Sequence, residues 1–219
     1  MQAGKQDTIY QDTNIWLLVI GIASPAIADE AICLVIVTCI LFLYTMHKLT
    51  TDELIKQKGD LGKIHLNRNE IYLILDNIRS IYNVGAIFRT ADAAKIKKLY
   101  LCGITAYPPR AEIEKTALKT IEYVPWEYNK SLKRIVKSLR QRDVQIIGLE
   151  QTDTSVKYNK FKYKKPVAII VGNEVTGIDN EVLALCDGTI EIPMHGIANS
   201  LNVTTAVGIV LFNILNYEN

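Results

Sequence analysis

The sequence predicts an α/β fold, a mostly parallel sheet flanked by helices. Three observations predict it. The runs Ile71–Leu75 (IYLIL) and Val167–Val171 (VAIIV) are continuously apolar, the habit of strands covered on both faces in a parallel sheet. Such runs alternate with helical stretches, which calls for right-handed crossovers. A chain of 219 residues is long enough for one α/β domain with a full core plus an appendage.

From the amino end, residues 15–44 are strongly apolar, with IWLLVIGIASPAIA and AICLVIVTCILFLY on either side of Asp29-Glu30. Each half is shorter than the roughly 20 residues of a spanning helix, and central acids are costly in a bilayer core. One Lys against two Asp in the first fourteen residues also makes a poor signal peptide. The favoured reading is an upstream extension or start-site artefact, with the working protein beginning at Met46; membrane contact through 15–44 is the other. Thr50 and Glu53 have capping-box spacing and predict a helix through Lys58, with Gly59 and Gly62 as a linker. The expected organisation is an apolar extension over 1–45, a helical lead-in and linker over 46–69, and the main domain over 70–219.

In that domain IYLIL is the first strand, turning at Asp76-Asn77 into a helix from about Val84 to Ala94. KLYLC follows as a second strand, then a loop from Gly103 to Pro109, broken at Pro108-Pro109, and a short helix near Glu112 to Leu118. A longer helix is expected from about Tyr128 to Arg142, followed by the strands VQIIGL and VAIIV. A helix over Asn180 to Cys186, the strand TIEIP and a closing helix from about Leu201 to Asn216 complete the chain. The closing helix is apolar almost all the way round, which implies burial on two sides.

The formal charge of +2 hides an asymmetry: Lys5 is the only base before Met46, against Asp7, Asp12, Asp29 and Glu30, so the remainder carries +5. A moderately basic body suits a polyanionic partner without establishing one. Cys33, Cys39, Cys102 and Cys186 form no C-x-x-C pair, so neither a disulfide framework nor a zinc site is indicated, and a reducing, cytoplasmic setting fits. There is no G-x-G-x-x-G after the first strand and no Walker lysine motif, which sets a nucleotide-binding enzyme of another class well behind.

Two strand-to-loop junctions are packed into a short span, one at Gly172-Asn173-Glu174 and one running from Pro193 and Gly196 to Ser200-Leu201-Asn202. Loops leaving the carboxyl ends of parallel strands, followed by helix N-termini, make a pocket for a polar ligand. The segments Asn83–Ala91 (NVGAIFRTA), Gly172–Gly177 (GNEVTG) and Ile192–Met194 through Ser200–Val203 resemble, in order and spacing, the three motifs of the SpoU/TrmH-type RNA 2'-O-ribose methyltransferases of the SPOUT class. The match runs from Ile71 to about Tyr217. One departure is Thr204, where that family commonly has Ser; the hydroxyl is kept.

The resemblance implies a carboxyl-terminal deep trefoil knot, S-adenosyl-L-methionine as cofactor, tRNA or rRNA as substrate and a homodimer through the closing helix. By residue, it implies cofactor binding at Gly172, Ile192 and Leu201, with Leu149, Met194 and Gly196, and catalysis at Arg89 with Asn83, Glu174, Ser200 and Asn202. Arg is hard to deprotonate, so Arg89 suits gripping phosphate and stabilising an alkoxide more than general-base work. Glu174 is expected to orient that guanidinium or to receive a proton. Taken without the resemblance, Arg89 reads as a solvated charge, Gly172 and Gly177 as turn glycines, and Ser200 and Asn202 as N-caps. His195 has no partner pattern, nor do His47 and His65.

For RNA contact, Lys157–Lys165 (KYNKFKYKK) interleaves bases with aromatics, which suits phosphate contact and base stacking and marks Lys160 and Lys162. A solvated loop before a buried strand is the slightly favoured alternative. Arg110, Lys115 and Lys119, after the second strand, are further candidates. A non-catalytic RNA-binding protein of the same fold stands as the alternative function.

Overall fold

The computed structural model describes residues 48–58 and 67–217. The apolar stretch over 15–44, Cys33, Cys39, His47 and His65 lie outside the described residues. The chain divides into two units, Met1–Gly59 and Asp60–Asn219. In the first, α1 (Thr51–Lys58) is opened by the expected capping box: Glu53 N donates to Thr50 Oγ1 at 3.3 Å, and Thr50 N donates to Glu53 Oε2 at 2.7 Å. Among the described residues, no helix is long and apolar enough to cross a membrane.

The second unit is a seven-stranded sheet in which every pairing is parallel. In chain order its elements are β1 (Asn69–Asp76), α2 (Ile81–Ala93), β2 (Ile96–Cys102), α3 (Ala111–Ala117), β3 (Trp126–Asn129) and α4 (Leu132–Arg140). Then come β4 (Gln145–Leu149), β5 (Val156–Lys157), β6 (Val167–Val171), α5 (Asn180–Leu183), β7 (Gly188–Glu191) and α6 (Val203–Leu215). The strand order is β3-β2-β1-β6-β4-β7-β5, so β6 inserts between β1 and β4.

The alternation of side chains along a strand explains why the two runs are apolar throughout. In β1, Ile71, Leu73 and Leu75 enter one core with Phe88 of α2 and Val207, Val210 and Leu211 of α6. Tyr72 and Ile74 enter the other, with Leu132, Ile135, Val136 and Leu139 of α4. β6 divides in the same way, Val167, Ile169 and Val171 to the first core and Ala168 and Ile170 to the second. Two covered faces require two apolar sets on each central strand.

Two sequence expectations are corrected. The helix expected over Tyr128–Arg142 is two elements, β3 and α4, because Trp126–Asn129 pairs with Leu99–Cys102 and the helix starts only after Ser131. The helix expected over Asn180–Cys186 is regular only to Leu183. The closing helix buries a single stripe within the chain, Val207, Val210, Leu211 and Ile214, and leaves Phe212 exposed. Its spacing of i, i+3, i+4 and i+7 is that of a helix packed on one side by its own chain.

Candidate active site

Parallel strands bring all the loops that follow them to one edge. Between the ends of β4, β6 and β7 lies a cleft of about 480 Å³ whose lining includes Leu149, Gly172, Glu174, Ile192, Met194, Ser200, Leu201 and Asn202. A second cavity, of about 550 Å³, lies beyond Asn77, between Asp76, Ser131, Lys133 and Asp179. Only the first gathers residues of the Gly172 and Ser200 segments.

The Gly172–Gly177 loop turns back sharply on itself. A Cβ on Gly172 would fall 2.4 Å from the carbonyl carbon and oxygen of Gly177, so no larger residue fits. Gly177 has φ +70°, and its place is closed by Glu150. Within the loop, Asn173 N donates to Gly177 O at 3.1 Å and Gly177 N to Asn173 O at 2.9 Å. The Asn173 Oδ1 accepts from Val175 N and Thr176 N, while its Nδ2 donates to Asn77 O at 3.0 Å. The loop is thereby bolted to the end of β1.

Glu174 reaches across to the start of α2. Its carboxylate accepts from Arg79 N at 2.8 Å, Ser80 N at 3.1 Å and Asn83 Nδ2 at 3.0 Å. α2 has no acid of its own in the first turn, and Ser80 is its N-cap; Glu174 supplies the negative charge that a helix N-terminus attracts. Burial pushes its pKa up, but the hydrogen bonds from Arg79, Asn83, Ser80 and its own N–H outweigh that and hold it below the usual value. Asn83 passes the connection on, since Asn202 Nδ2 donates to Asn83 Oδ1 at 3.3 Å. Asn202 also N-caps α6 through Thr204 N at 2.8 Å and holds the Thr204 hydroxyl at 2.6 Å. Glu174, Asn83 and Asn202, one from each sequence segment, form a continuous chain.

The other expected residues fall as follows. Leu149, Gly172, Ile192, Met194, Ser200 and Leu201 line the cleft, whereas Gly196 does not. Ser200 is exposed and forms no hydrogen bond among the described residues, and N-capping belongs to Asn202 alone. Arg89 is exposed on α2, has no hydrogen bond or ion pair among the described residues and does not line the cleft; Glu174 is directed at Arg79, Ser80 and Asn83 instead. Arg110, Lys115 and Lys119 are exposed on and beside α3. The Lys157–Lys165 aromatics face inward: Tyr163 is buried against Phe161 and Tyr217, and its hydroxyl donates to Tyr158 O. The stacking role expected for them is not available. Lys160 and Lys162 are exposed, and Lys162 O accepts from Gln145 at the amino end of β4, the edge opposite the cleft. His195 is exposed and not in the lining.

Sequence reasoning missed Glu150 and Gln151. Glu150 Oε2 accepts from Ile178 N at 3.0 Å, and Gln151 Nε2 donates to Asn199 O at 2.7 Å, so the end of β4 ties both loops. Their only sequence signal is their place just after the strand VQIIGL. Among the described residues, no cluster of three or more His, Cys, Asp and Glu could hold a metal ion.

Comparison with known proteins adds an independent line. Residues 70–212 match the SpoU rRNA Methylase family. The chain is 29% identical over 170 residues to the tRNA (guanosine(18)-2'-O)-methyltransferase of Aquifex aeolicus, covering 76% of this chain and 78% of that one. It is 33% identical over 142 residues to the 23S rRNA (guanosine-2'-O-)-methyltransferase of Vibrio parahaemolyticus, covering 65% of this chain and 57% of that one. Among solved structures it resembles the SpoU methyltransferase AviRb from Streptomyces viridochromogenes in complex with AdoMet, with TM-score 0.63, 25% identity and coverage of 71% and 63%. The A. aeolicus TrmH/SpoU tRNA modifying enzyme gives TM-score 0.63 at 29% identity, with coverage of 72% and 82%. The chain therefore spans less than two thirds of some of these relatives.

Proposed function

The chain belongs to the SpoU rRNA methylase family, and from that premise we propose that it is an S-adenosylmethionine-dependent methyltransferase acting on a ribose 2'-hydroxyl of tRNA or rRNA. The observation that carries this reading is the side-chain path from Glu174 through Asn83 to Asn202, which joins the three motif segments at one cleft. Residues 70–219 are the catalytic domain, and 1–45 and 46–69 are an extension and a lead-in.

The cleft fits the cofactor by size and by lining. Its volume of about 480 Å³ lies within the roughly 300–1,000 Å³ range of small-molecule sites, and its lining mixes apolar side chains, among them Leu149, Val171, Ile192 and Leu201, with polar ones such as Gln151, Asn173 and Ser200, which suits a ligand that carries both an aromatic base and polar groups. Leu149, Ile192 and Leu201 would flank the base, Met194 would close the rim, and Gly172 admits close approach of the backbone. When bound, S-adenosylmethionine supplies an electrophilic methyl group. The protein's own residues then have to hold a ribose hydroxyl in line and stabilise the charge that grows on its oxygen. Ser200, whose hydroxyl has no hydrogen bond among the described residues, and Asn202 line the cleft and are taken as the groups that hold ribose oxygens, with Asn83 behind Asn202. Glu174 is a positioning residue, because its carboxylate is committed to N–H donors that fix Asn83.

Arg89 supplies the fixed positive charge for phosphate and alkoxide. It is outside its own cleft, so this reading includes a homodimer built on α6, whose exposed Phe212 and unburied apolar positions support it. Arg110, Lys115 and Lys119 are taken as phosphate contacts in preference to Lys160 and Lys162. The knotted carboxyl-terminal path belongs to the same reading, supported by the similarity to SpoU methyltransferase structures, and so does a cytoplasmic location, where the RNA substrates are.

The test is methyl transfer from labelled cofactor to bulk RNA by wild type and Arg89→Ala. Arg89→Ala is expected to lose about 100-fold or more in turnover while binding the cofactor as wild type does in calorimetry. Equal activity of the two would remove Arg89 from the site. Cofactor binding without any methyl transfer by wild type would sink the enzymatic reading.

A further inference from the structure

The loop from Gly103 to Arg110, between β2 and α3, combines exposure with rigidity. Thr105 is buried, and its hydroxyl accepts from Ile78 N at 2.9 Å and donates to Leu75 O at 3.2 Å. Ile104 N donates to Asn77 Oδ1 at 3.1 Å, and Tyr128 Oη donates to Gly103 O at 2.9 Å. The Tyr107 ring lies on that of Tyr128, centroids 4.2 Å apart and planes tilted by 32°. Despite this anchoring, Tyr107 is 42% exposed and Ile104 69% exposed. A ring fixed in place by its neighbour and still partly open to solvent is a preorganised stacking partner.

The charges around it favour a polyanion. Arg79, Arg110 and Lys130 are exposed in the connections that leave β1, β2 and β3, and none of these side chains has a hydrogen bond or ion pair among the described residues. Most acids of the same edge are engaged or withdrawn: Asp76 is 5% exposed, Glu127 pairs with Lys98, and Glu174 is held by N–H groups; Asp179, exposed beside Asp76 and Ser131, is the exception. The exposed Glu112 and Glu114 lie further on, in α3. β2 is two strand spacings from β6, about 10 Å, which is within reach of a nucleotide close to one held at the cleft.

We propose that Tyr107 and Ile104 form a stacking platform for an unpaired nucleobase of the RNA substrate near the target ribose, with Arg79, Arg110 and Lys130 taking the flanking phosphates. The proposal rests on the methyltransferase reading for the identity of the RNA. Stacking of a base on an aromatic ring tolerates any base, so the platform adds affinity and placement more than sequence choice.

The experiment compares full-length wild type, Tyr107→Ala and Tyr107→Phe in methyl transfer to bulk RNA and in RNA binding, with cofactor binding as the control. Tyr107→Ala is expected to raise the KM and Kd for RNA about 5- to 150-fold with cofactor affinity unchanged, and Tyr107→Phe to restore wild-type values. Wild-type KM in Tyr107→Ala would overturn the platform and leave the methyltransferase reading standing. RNA affinity that depends on Tyr107 in a wild type that transfers no methyl would do the reverse. Should Tyr107→Ala fail to fold, photocrosslinking of wild type to RNA decides: a crosslink within residues 103–110 supports the platform, and crosslinks confined to other segments, or capture of a protein in place of RNA, overturn it.

Discussion

One wall of the cleft, residues 172–177, commits almost every polar group to the protein: its backbone closes on itself, Asn173 is tied to Asn77, and Glu174 is tied to the start of α2. The facing wall, from Ile192 to Leu201, has one tether among the described residues, Gln151 to Asn199 O, before Asn202 begins α6. Ile197 in that wall is fully exposed. Low contact density and solvent-facing backbone are what give a segment a low local unfolding free energy. The site is thus fixed on one side and yielding on the other, an arrangement that lets a ligand enter against a surface that does not move.

The sharpest way to break this contrast is through its glycines. Gly172→Ala drives a methyl into the Gly177 backbone, so we expect a loss of about 1–3 kcal/mol in stability and abolished cofactor binding, read by melting and calorimetry. Asn202→Ala removes the N-cap of α6 and the link to Asn83 together. A cost of about 1 kcal/mol should accompany a fall in methyl transfer, and unchanged turnover would show that the link from Asn202 is only structural.

Glu174→Gln sharpens the comparison by pH. The folded pKa of Glu174 lies below its ordinary value, so its contribution is present above the ordinary carboxylate range and is lost as pH falls through the folded value. Allowing for its exposure, we expect about 1 kcal/mol at neutral pH, with the variant's melting temperature less sensitive to acid than that of wild type. Parallel curves would mean that the charge is immaterial. Gly196→Ala should do least: nothing lies within 4 Å of the added Cβ, so stability should stay within about 0.5 kcal/mol. A large loss there would mean that the yielding wall is as tightly fitted as the fixed one.

Sequence and structure agree best where local pattern decides. The apolar runs of β1 and β6 and the capping box of α1 were readable because burial on two faces and a side-chain cap are local properties. β3 was not, because Trp126–Asn129 is short, half-buried and paired on one side only, so its residues merged into the helical pattern that follows. Ser131, the N-cap of α4, was the available signal for the break. In the site, Gly172, Ile192 and Leu201 could be placed by resemblance, but the direction of Glu174 could not. Its partners lie 91 to 95 positions away, and only the folded sheet decides whether its carboxylate meets Arg89 or the start of α2.

The position of β6 between β1 and β4 has a consequence for how the protein is made. While the ribosome is still short of Val167, β1 can pair with β2 and β2 with β3, but the other flank of β1, along Ile71–Leu75, has no partner, and β4, already synthesised, does not pair with it. Long-range parallel pairing is slow, and an unsatisfied strand flank invites wrong company. The late arrival of one five-residue strand therefore seals the half-built sheet, and the cleft is complete only when residues 191–206 have followed it, so a nascent chain gains no protection from its small-molecule ligand until its last quarter has emerged.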